Sequence, residues 1–469
     1  MQFRTERDPL GEFEVPADAY YGIQTARAVE NFPISELRAP ADLIVATVLI
    51  KRAAAEANEA LERLDARVAR AIVRACDEIR GGALLDQFVV DVYQAGAGTS
   101  HNMNTNEVIA NRAAEILGGS RGDYALVHPN DHVNMGQSTN DVFPTATRLA
   151  LLIRMRPLVD AGRGLASALR EKADAFADVL KVGRTHLQDA VPMTLGEEFG
   201  GYAACIERGV DDVEQAAEQL KELNLGATAV GTGLNAGDDY TRLAVSNLSR
   251  ALAVDLVPAA NRFRVTQSMG DVVAYSGAMR RLAVELSKVA SDLRLLSSGP
   301  RAGLAEIQLP AVQPGSSIMP GKVNPSVPEM VNQVCQQVIG CDAAILASAS
   351  AGQLELNVMM PVMAWNAIQA SSILGNAMQV LNERCVTGIT ADEARCRELL
   401  DRSTAVATAL STYIGYAETA EIAKLSVKTG RSIADIVRER KLIPEEQLVQ
   451  ILSPEEMTTP GIPGSKAAK

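Results

Sequence analysis

Aromatic side chains are scarce in this chain, 4% of 469 residues with a single Trp, so its core must be built from aliphatics. Hydrophobic residues still make up 47%, enough to fill the interiors of two or three domains. A core rich in Ala, Leu and Val favours helices packed closely together. Six cysteines, Cys76, Cys205, Cys335, Cys341, Cys385 and Cys396, form no CxxC pair and no metal-ligand spacing. That excludes a disulfide scaffold and reads as free thiols in a reducing compartment. No uninterrupted apolar run is long enough to span a membrane, and the charged residues 1–8 lack the apolar stretch of a signal peptide. The expectation is a soluble cytoplasmic protein. A net charge of −12 leaves no basic footprint for nucleic acid.

Proline is also missing over long intervals: from Pro192 to Pro258, Pro258 to Pro300, Pro328 to Pro361 and Pro361 to Pro444. Each interval can hold a long helix, since an interior proline would break one. Within 264–298, Val272, Tyr275, Met279, Leu282, Leu286, Val289, Leu293 and Leu296 alternate spacings of three and four. That is a heptad seam suited to helix bundling. The expected fold is mainly α, with an N-terminal mixed helical domain over 1–141 and a central long-helix bundle over 142–395. A small C-terminal domain over 396–469 would end in a mobile tail at Pro460-Gly461-Ile462-Pro463-Gly464.

What the chain does have is four polar motifs. Residues 315–325 read Gly-Ser-Ser-Ile-Met-Pro-Gly-Lys-Val-Asn-Pro, too rich in Gly and Pro for helix or strand. A loop that gathers Ser316, Ser317, Lys322 and Asn324 can act on an anion, and Gly315, Pro320 and Gly321 can serve as hinges. The second motif is Gly96-Ala97-Gly98-Thr99-Ser100-His101-Asn102-Met103-Asn104, continuing to Glu107. The third runs from His128 to Asp141 and contains Gly136-Gln137-Ser138-Thr139-Asn140-Asp141. The fourth is Gly183-Arg184-Thr185-His186-Leu187-Gln188-Asp189.

Together these motifs resemble the signatures of the fumarase/aspartase superfamily, lyases that split a C–N or C–O bond beside a carboxylate and release fumarate. The resemblance runs from Arg4 nearly to the C-terminus. It implies a homotetramer whose central helices form a shared multi-helix core, with each active site drawn from three subunits. It also implies a small dicarboxylate substrate and no required cofactor. Some relatives are activated by a divalent metal, but no ligand cluster in this sequence demands one.

The chemistry such a lyase performs needs a base, donors around a developing oxyanion and a clamp for the second carboxylate. By resemblance Ser316 is the general base, with loop amides and Lys322 stabilising its oxyanion. Lys322, Asn324 and Thr185 resemble the α-carboxylate clamp. Thr99, Ser138, Thr139 and Ser317 resemble the β-carboxylate cradle, where each donor is worth about 2.7–4 kcal/mol in the barrier. Asn140 and His186 would face the leaving amine, and Glu329 matches a carboxylate paired with the motif histidine.

Three details favour the aspartase branch: Ser100 after Gly98-Thr99, the order Ser138-Thr139-Asn140, and the terminal stretch from Leu452 to Ile462. The N-terminal Tyr20-Tyr21-Gly22 and Glu30-Asn31-Phe32 agree. That branch implies reversible anti elimination of ammonia from L-aspartate, giving fumarate through an aci-carboxylate. Malate/fumarate hydration, a substituted aspartate as substrate and a non-catalytic scaffold remain as alternatives.

Other features carry less. His128 and His132 have i, i+4 spacing that could bind zinc on a helix, but Pro129-Asn130-Asp131 reads as a turn. His101 is assigned no role. Gly226 to Gly233 lacks the Gly-Lys-Ser/Thr ending of a phosphate loop and reads as a close helix–loop contact. Asn102 and Asn104 read either as catalytic or as capping residues in a turn.

Overall fold

The computed structural model describes residues 2–465. Among them run seventeen α-helices, and the only sheets are four of two strands each. The mainly α architecture expected from aliphatic composition and proline spacing is the one that forms. The five longest helices are Thr139–Ala175, Leu195–Ala217, Gly270–Leu296, Ser326–Ala349 and Met360–Arg384. No helix is long and apolar enough to cross a membrane among the described residues.

The predicted seam lies on Gly270–Leu296. Val272, Tyr275, Met279, Leu282, Leu286 and Leu293 are fully buried, and Val289 and Leu296 are nearly so. Seven-residue periodicity keeps one stripe of a helix against its neighbours along its whole length.

The chain forms two compact units. One contains the residues up to Asp160, Gly209–Ala283 and Val334–Asn376; the other contains Ala161–Arg208, Val284–Gln333 and the chain from Ala377 onward. These groupings are discontinuous, whereas the divisions at residues 141 and 395 follow chain order.

In the first unit, helices Ala41–Ala60, Ala66–Arg80 and Thr99–Ile116 share a core that includes Ile44, Val48, Ile72, Ile79, Val108 and Ile109. Polar side chains register the long helices around it. The fully buried Arg148 pairs with Asp271 at 2.5 Å, and Asp342 accepts from Ser276 at 2.7 Å and Arg280 at 2.6 Å. At Gly209 a Cβ would meet Leu282 Cδ1 at 2.7 Å, so its absence sets how closely two helices approach.

In the second unit, Asn332 Nδ2 donates to the Ser287 carbonyl at 2.9 Å, joining two long helices. The fully buried Glu306 forms ion pairs with Arg184 at 2.9 Å and Lys181 at 3.3 Å, anchoring the hairpin Leu180–Thr185/Gln188–Thr194. Short C-terminal helices close around Leu410, Ile422, Ile436 and Leu448. The tail folds back on them: Gly464 N donates to Glu456 at 2.8 Å, and the Tyr413 hydroxyl donates to the Pro463 carbonyl at 2.5 Å.

Candidate active site

A cluster of hydroxyls forms where two helices begin. Helix Thr99–Ile116 starts after Gly96, Ala97 and Gly98, whose φ angles of 72°, 55° and 97° are all positive. At Gly98 a Cβ would fall 2.2 Å from the Phe143 ring, so both sterics and φ require glycine. This turn delivers Thr99 to the first helical position, where its hydroxyl donates to the Gly96 carbonyl at 2.6 Å.

The second helix opens with Thr139 and Asn140, preceded by Ser138. Thr139 Oγ1 lies 3.2 Å from Thr99 Oγ1 and accepts from Asn102 Nδ2 at 3.2 Å. Ser138 Oγ accepts from Asn140 N at 3.2 Å. Two helix N-termini thus meet beside the hydroxyls of Thr99, Ser138 and Thr139. Their partial positive charge favours a carboxylate.

Asn140 is held at both ends. Its Nδ2 donates to the Ala229 carbonyl at 2.7 Å, which leaves Oδ1 as the acceptor that can face an ammonium group. Its backbone carbonyl would normally pair with the N–H of residue 144, but Pro144 has none. The side-chain amide of Asn224 takes that place at 3.0 Å.

Asp141 accepts from the backbone N–H groups of Ser138, Gly226 and Thr228 at 2.8, 2.9 and 3.0 Å. Burial pushes its carboxyl up to about 6, against the pull of those three bonds. The glycine-rich stretch from Gly226 therefore turns its amides toward an internal carboxylate. A Cβ at Gly226 would lie 1.9 Å from Thr241 Oγ1, so this is a close helix–loop contact.

In the second unit, the loop of residues 315–325 closes on itself. Gly315 N donates to the Lys322 carbonyl and Asn324 Nδ2 to the Gly315 carbonyl, both at 2.7 Å. Ser316 Oγ accepts from the backbone N–H groups of Ile318 at 3.2 Å and Met319 at 3.0 Å. These are donors of the kind a serine oxyanion needs. Ser317 and Lys322 are exposed, while Ser316 and Asn324 are half-buried.

Thr185 and His186 sit at the tip of the hairpin in the same unit. Thr185 pairs with Gln188, and the two residues between them, His186 and Leu187, have φ of 53° and 61°. That is the backbone of a two-residue hairpin turn normally filled by Asn-Gly, here strained on two side-chain-bearing residues. His186 is exposed at this tip. Glu329, in the first turn of Ser326–Ala349, is also exposed. Among the described residues no hydrogen bond or ion pair joins it to His186.

The sequence-predicted residues thus fall into two groups. Thr99, Ser138, Thr139 and Asn140 meet in one unit. In the other, Ser316, Ser317, Lys322 and Asn324 share a loop, and Thr185 and His186 share a hairpin tip. His128 and His132 flank a single wide turn, and their Nδ1 atoms accept from backbone amides: His128 from Asn130 and Asp131, His132 from His128. Among the described residues no group of three or more His, Cys, Asp or Glu could hold a metal.

With this geometry in place, similarity to known proteins becomes decisive. The pattern of the Lyase family matches residues 11–340, and that of the fumarase C C-terminus matches residues 406–459. The chain belongs to the Lyase family. Among curated members, the aspartate ammonia-lyase of Pseudomonas fluorescens is 50% identical over 468 residues, covering 99% of this chain and 98% of that one. A crystal structure titled fumarate lyase:delta crystallin from Brucella melitensis, bound to cobalt, is 50% identical. It covers 98% of this chain and 100% of that one, with a TM-score of 0.94. Recombinant class II fumarase from Schistosoma mansoni is 36% identical at the same coverages, with a TM-score of 0.95. The fold is common to both solved structures, while sequence identity is higher to the ammonia-lyase than to the fumarase.

The sequence left Asn102 and Asn104 open between catalysis and capping and gave no notice of Lys51, and this lyase buries all three. Asn102 belongs to a helix and not to a turn, and reaches both Thr139 Oγ1 and Asn134 Oδ1. Asn104, also helical, braces backbone at Gln87 and Val89. Lys51 is fully buried and donates to Asn134 Oδ1 at 2.9 Å and Gln137 Oε1 at 2.8 Å. Burial pushes its ammonium group down to about 7, against the pull of Asp141 and Cys76. Thr47, Lys51 and Asn58 lie on one buried stripe of helix Ala41–Ala60, but Arg52, Glu56 and Glu59 on the same helix hide that stripe in the sequence.

Proposed function

We propose that the chain is an L-aspartate ammonia-lyase, interconverting L-aspartate with fumarate and ammonia. The observation that carries this reading is 50% identity to a curated aspartate ammonia-lyase across nearly the whole of both chains. The geometry supports the chemistry. Ser316, as an alkoxide, takes a proton from the carbon beside the β-carboxylate. The electron pair moves onto that carboxylate, giving a dianionic aci-carboxylate. Reformation of the carboxylate then expels the amine from the opposite face, which leaves as ammonia and yields fumarate.

The roles follow from what each group can donate or accept. The Ile318 and Met319 amides, with the charge of Lys322, stabilise the Ser316 oxyanion. Ser138, Thr139 and Ser317 donate to the β-carboxylate without surrendering a proton, and Thr99 joins them by turning its hydroxyl away from the Gly96 carbonyl. Lys322, Asn324 and Thr185 clamp the α-carboxylate. Asn140 Oδ1 and His186 receive the leaving amine, and Glu329 is the carboxylate that would pair with that histidine on assembly.

A homotetramer brings these groups together, since the hydroxyl cluster, the hairpin tip and the serine loop would come from three different subunits. Exposure of Thr185, His186, Ser317 and Lys322 in the single chain supports that assembly. The protein works in the cytoplasm without an organic cofactor. The test is direct: purified protein with L-aspartate should generate fumarate absorbance and equimolar ammonia. Fumarate from L-malate and none from L-aspartate would make it a fumarate hydratase.

A further inference from the structure

The first helical turns that hold Thr99 and Thr139 rest on a fully buried ammonium group. Lys51 is 0% exposed, and neither of its hydrogen-bond partners is a carboxylate. Both are side-chain amide oxygens, Asn134 Oδ1 and Gln137 Oε1, from the segment that leads into Ser138 and Thr139. Such a cation is expensive to bury, so its retention calls for a physical reason.

The hydrogen bonds around it have a direction. An ammonium group can only donate, so it fixes the oxygen end of Asn134 inward and sends Asn134 Nδ2 to the Gln137 carbonyl at 3.1 Å. With that oxygen facing the interior, Asn102 and Asn106 both present Nδ2 to it at 3.3 Å. The same Asn102 Nδ2 reaches Thr139 Oγ1 at 3.2 Å. Their own Oδ1 atoms are left buried with no partner. Two orphaned acceptors are a cost, and turning either amide round would relieve it only by pointing an oxygen at the Asn134 oxygen.

The consequence reaches the ligand side. Thr139 Oγ1 accepts from Asn102, and the Thr99 hydroxyl gives its one proton to the Gly96 carbonyl at 2.6 Å. The Thr139 proton is therefore not taken by Asn102; its neighbouring acceptor is Thr99 Oγ1 at 3.2 Å, a long contact that it can exchange for a carboxylate. We propose that Lys51 is a positioning residue, fixing the Asn134–Asn102 hydrogen bonds in the direction that leaves the Thr139 hydroxyl free to donate to the carboxylate on which charge develops. This rests on the aspartate ammonia-lyase reading of the site. Without the ammonium, only the Gln137 carbonyl, 3.1 Å from Nδ2, still orients Asn134; where Asn134 and Asn102 both reverse, Asn102 Oδ1 accepts from Thr139 and the cradle loses a donor.

A double-mutant cycle tests this, because a purely structural lysine would not be silenced by removing Thr139's hydroxyl. Turnover of L-aspartate is measured for the wild-type protein, Lys51→Met, Thr139→Val and the double variant, with melting temperature and the inhibition constant of unreactive succinate alongside. Lys51→Met should lower kcat about 100-fold, as expected for loss of one oxyanion donor. In the Thr139→Val background it should cost no further factor beyond about threefold. Succinate inhibition should weaken far less than kcat falls.

Should Lys51→Met fail to fold, Asn102→Asp carries the same test. It keeps the shape of Asn102 but replaces its donor with an acceptor, and should give the same loss with the same dependence on Thr139. Undiminished kcat, or an equal loss whether or not Thr139 is present, overturns the proposal. A wild-type protein that does not turn over L-aspartate overturns the functional reading and this inference with it, whereas a wild-type enzyme with insensitive variants overturns the inference alone.

Discussion

Asn324 donates its side-chain amide to the Gly315 carbonyl at 2.7 Å, tying the end of the serine loop to its beginning. The two strands of that loop touch so closely that a Cβ on Gly315 would lie 2.6 Å from Asn324 N and 2.7 Å from the Lys322 carbonyl. Both obstacles are backbone, so they cannot rotate away. Gly315→Ala should leave melting temperature almost unchanged but displace Ser316, with kcat falling about 100-fold, the usual effect of a misplacement near 1 Å. Wild-type kcat in this variant would show that the closed loop is not the working geometry.

Ser316→Ala removes the proposed base and the acceptor for the Ile318 and Met319 amides. Those amides lie in an exposed stretch where water can replace the lost oxygen. Succinate should still bind, while turnover should fall by about a thousandfold or more, the upper part of the range for a positioned acid or base. A rate near wild type would remove Ser316 from that role.

Asn140 is expected to report on the amine and not on the carboxylates, because its Nδ2 is committed to Ala229 and only Oδ1 remains. In the amination direction, Asn140→Ala should raise KM for ammonium about tenfold or more, the scale of one hydrogen bond to a charged group. KM for fumarate should move less. Equal effects on both substrates would place Asn140 among the carboxylate ligands.

His101 gives a pH signature. It is buried, with Nε2 3.0 Å from Thr47 Oγ1, and burial together with the nearby Lys51 charge holds its pKa down to about 4 from 6.5. Above pH 6.5 the folded and unfolded chains are both neutral at this site. Between pH 6.5 and 4 the unfolded chain takes up a proton that the folded one refuses, so stability falls as pH falls. His101→Leu leaves Thr47 its bond to the Leu43 carbonyl and should flatten the melting-temperature profile over that window. Parallel profiles for the two proteins would mean that His101 titrates normally in the fold.

Most of the fold was legible because period and proline placement act locally. The seam from Val272 to Leu296 needs only the sequence of one helix to be seen. Thr139–Ala175 was harder, since Pro144 and Pro157 lie inside it, and the Asn224 amide that compensates Pro144 is remote in sequence. Motif residues proposed to touch substrate, such as Thr99 and Ser316, were visible as polar clusters in loops and helix starts. Lys51 was not, because a lone lysine between Ile50 and Arg52 looks like any surface cation until tertiary packing closes over it. The directions of the Asn102 and Asn134 amides are likewise set by three-dimensional neighbours that no local pattern encodes.

The central claim is the identity of the nucleophile that adds to fumarate. Proton NMR of the purified protein with fumarate and excess ammonium, beside a tube holding fumarate in water alone, tests it most directly. The account predicts L-aspartate in the first tube and unchanged fumarate in the second. Malate in both tubes would contradict it.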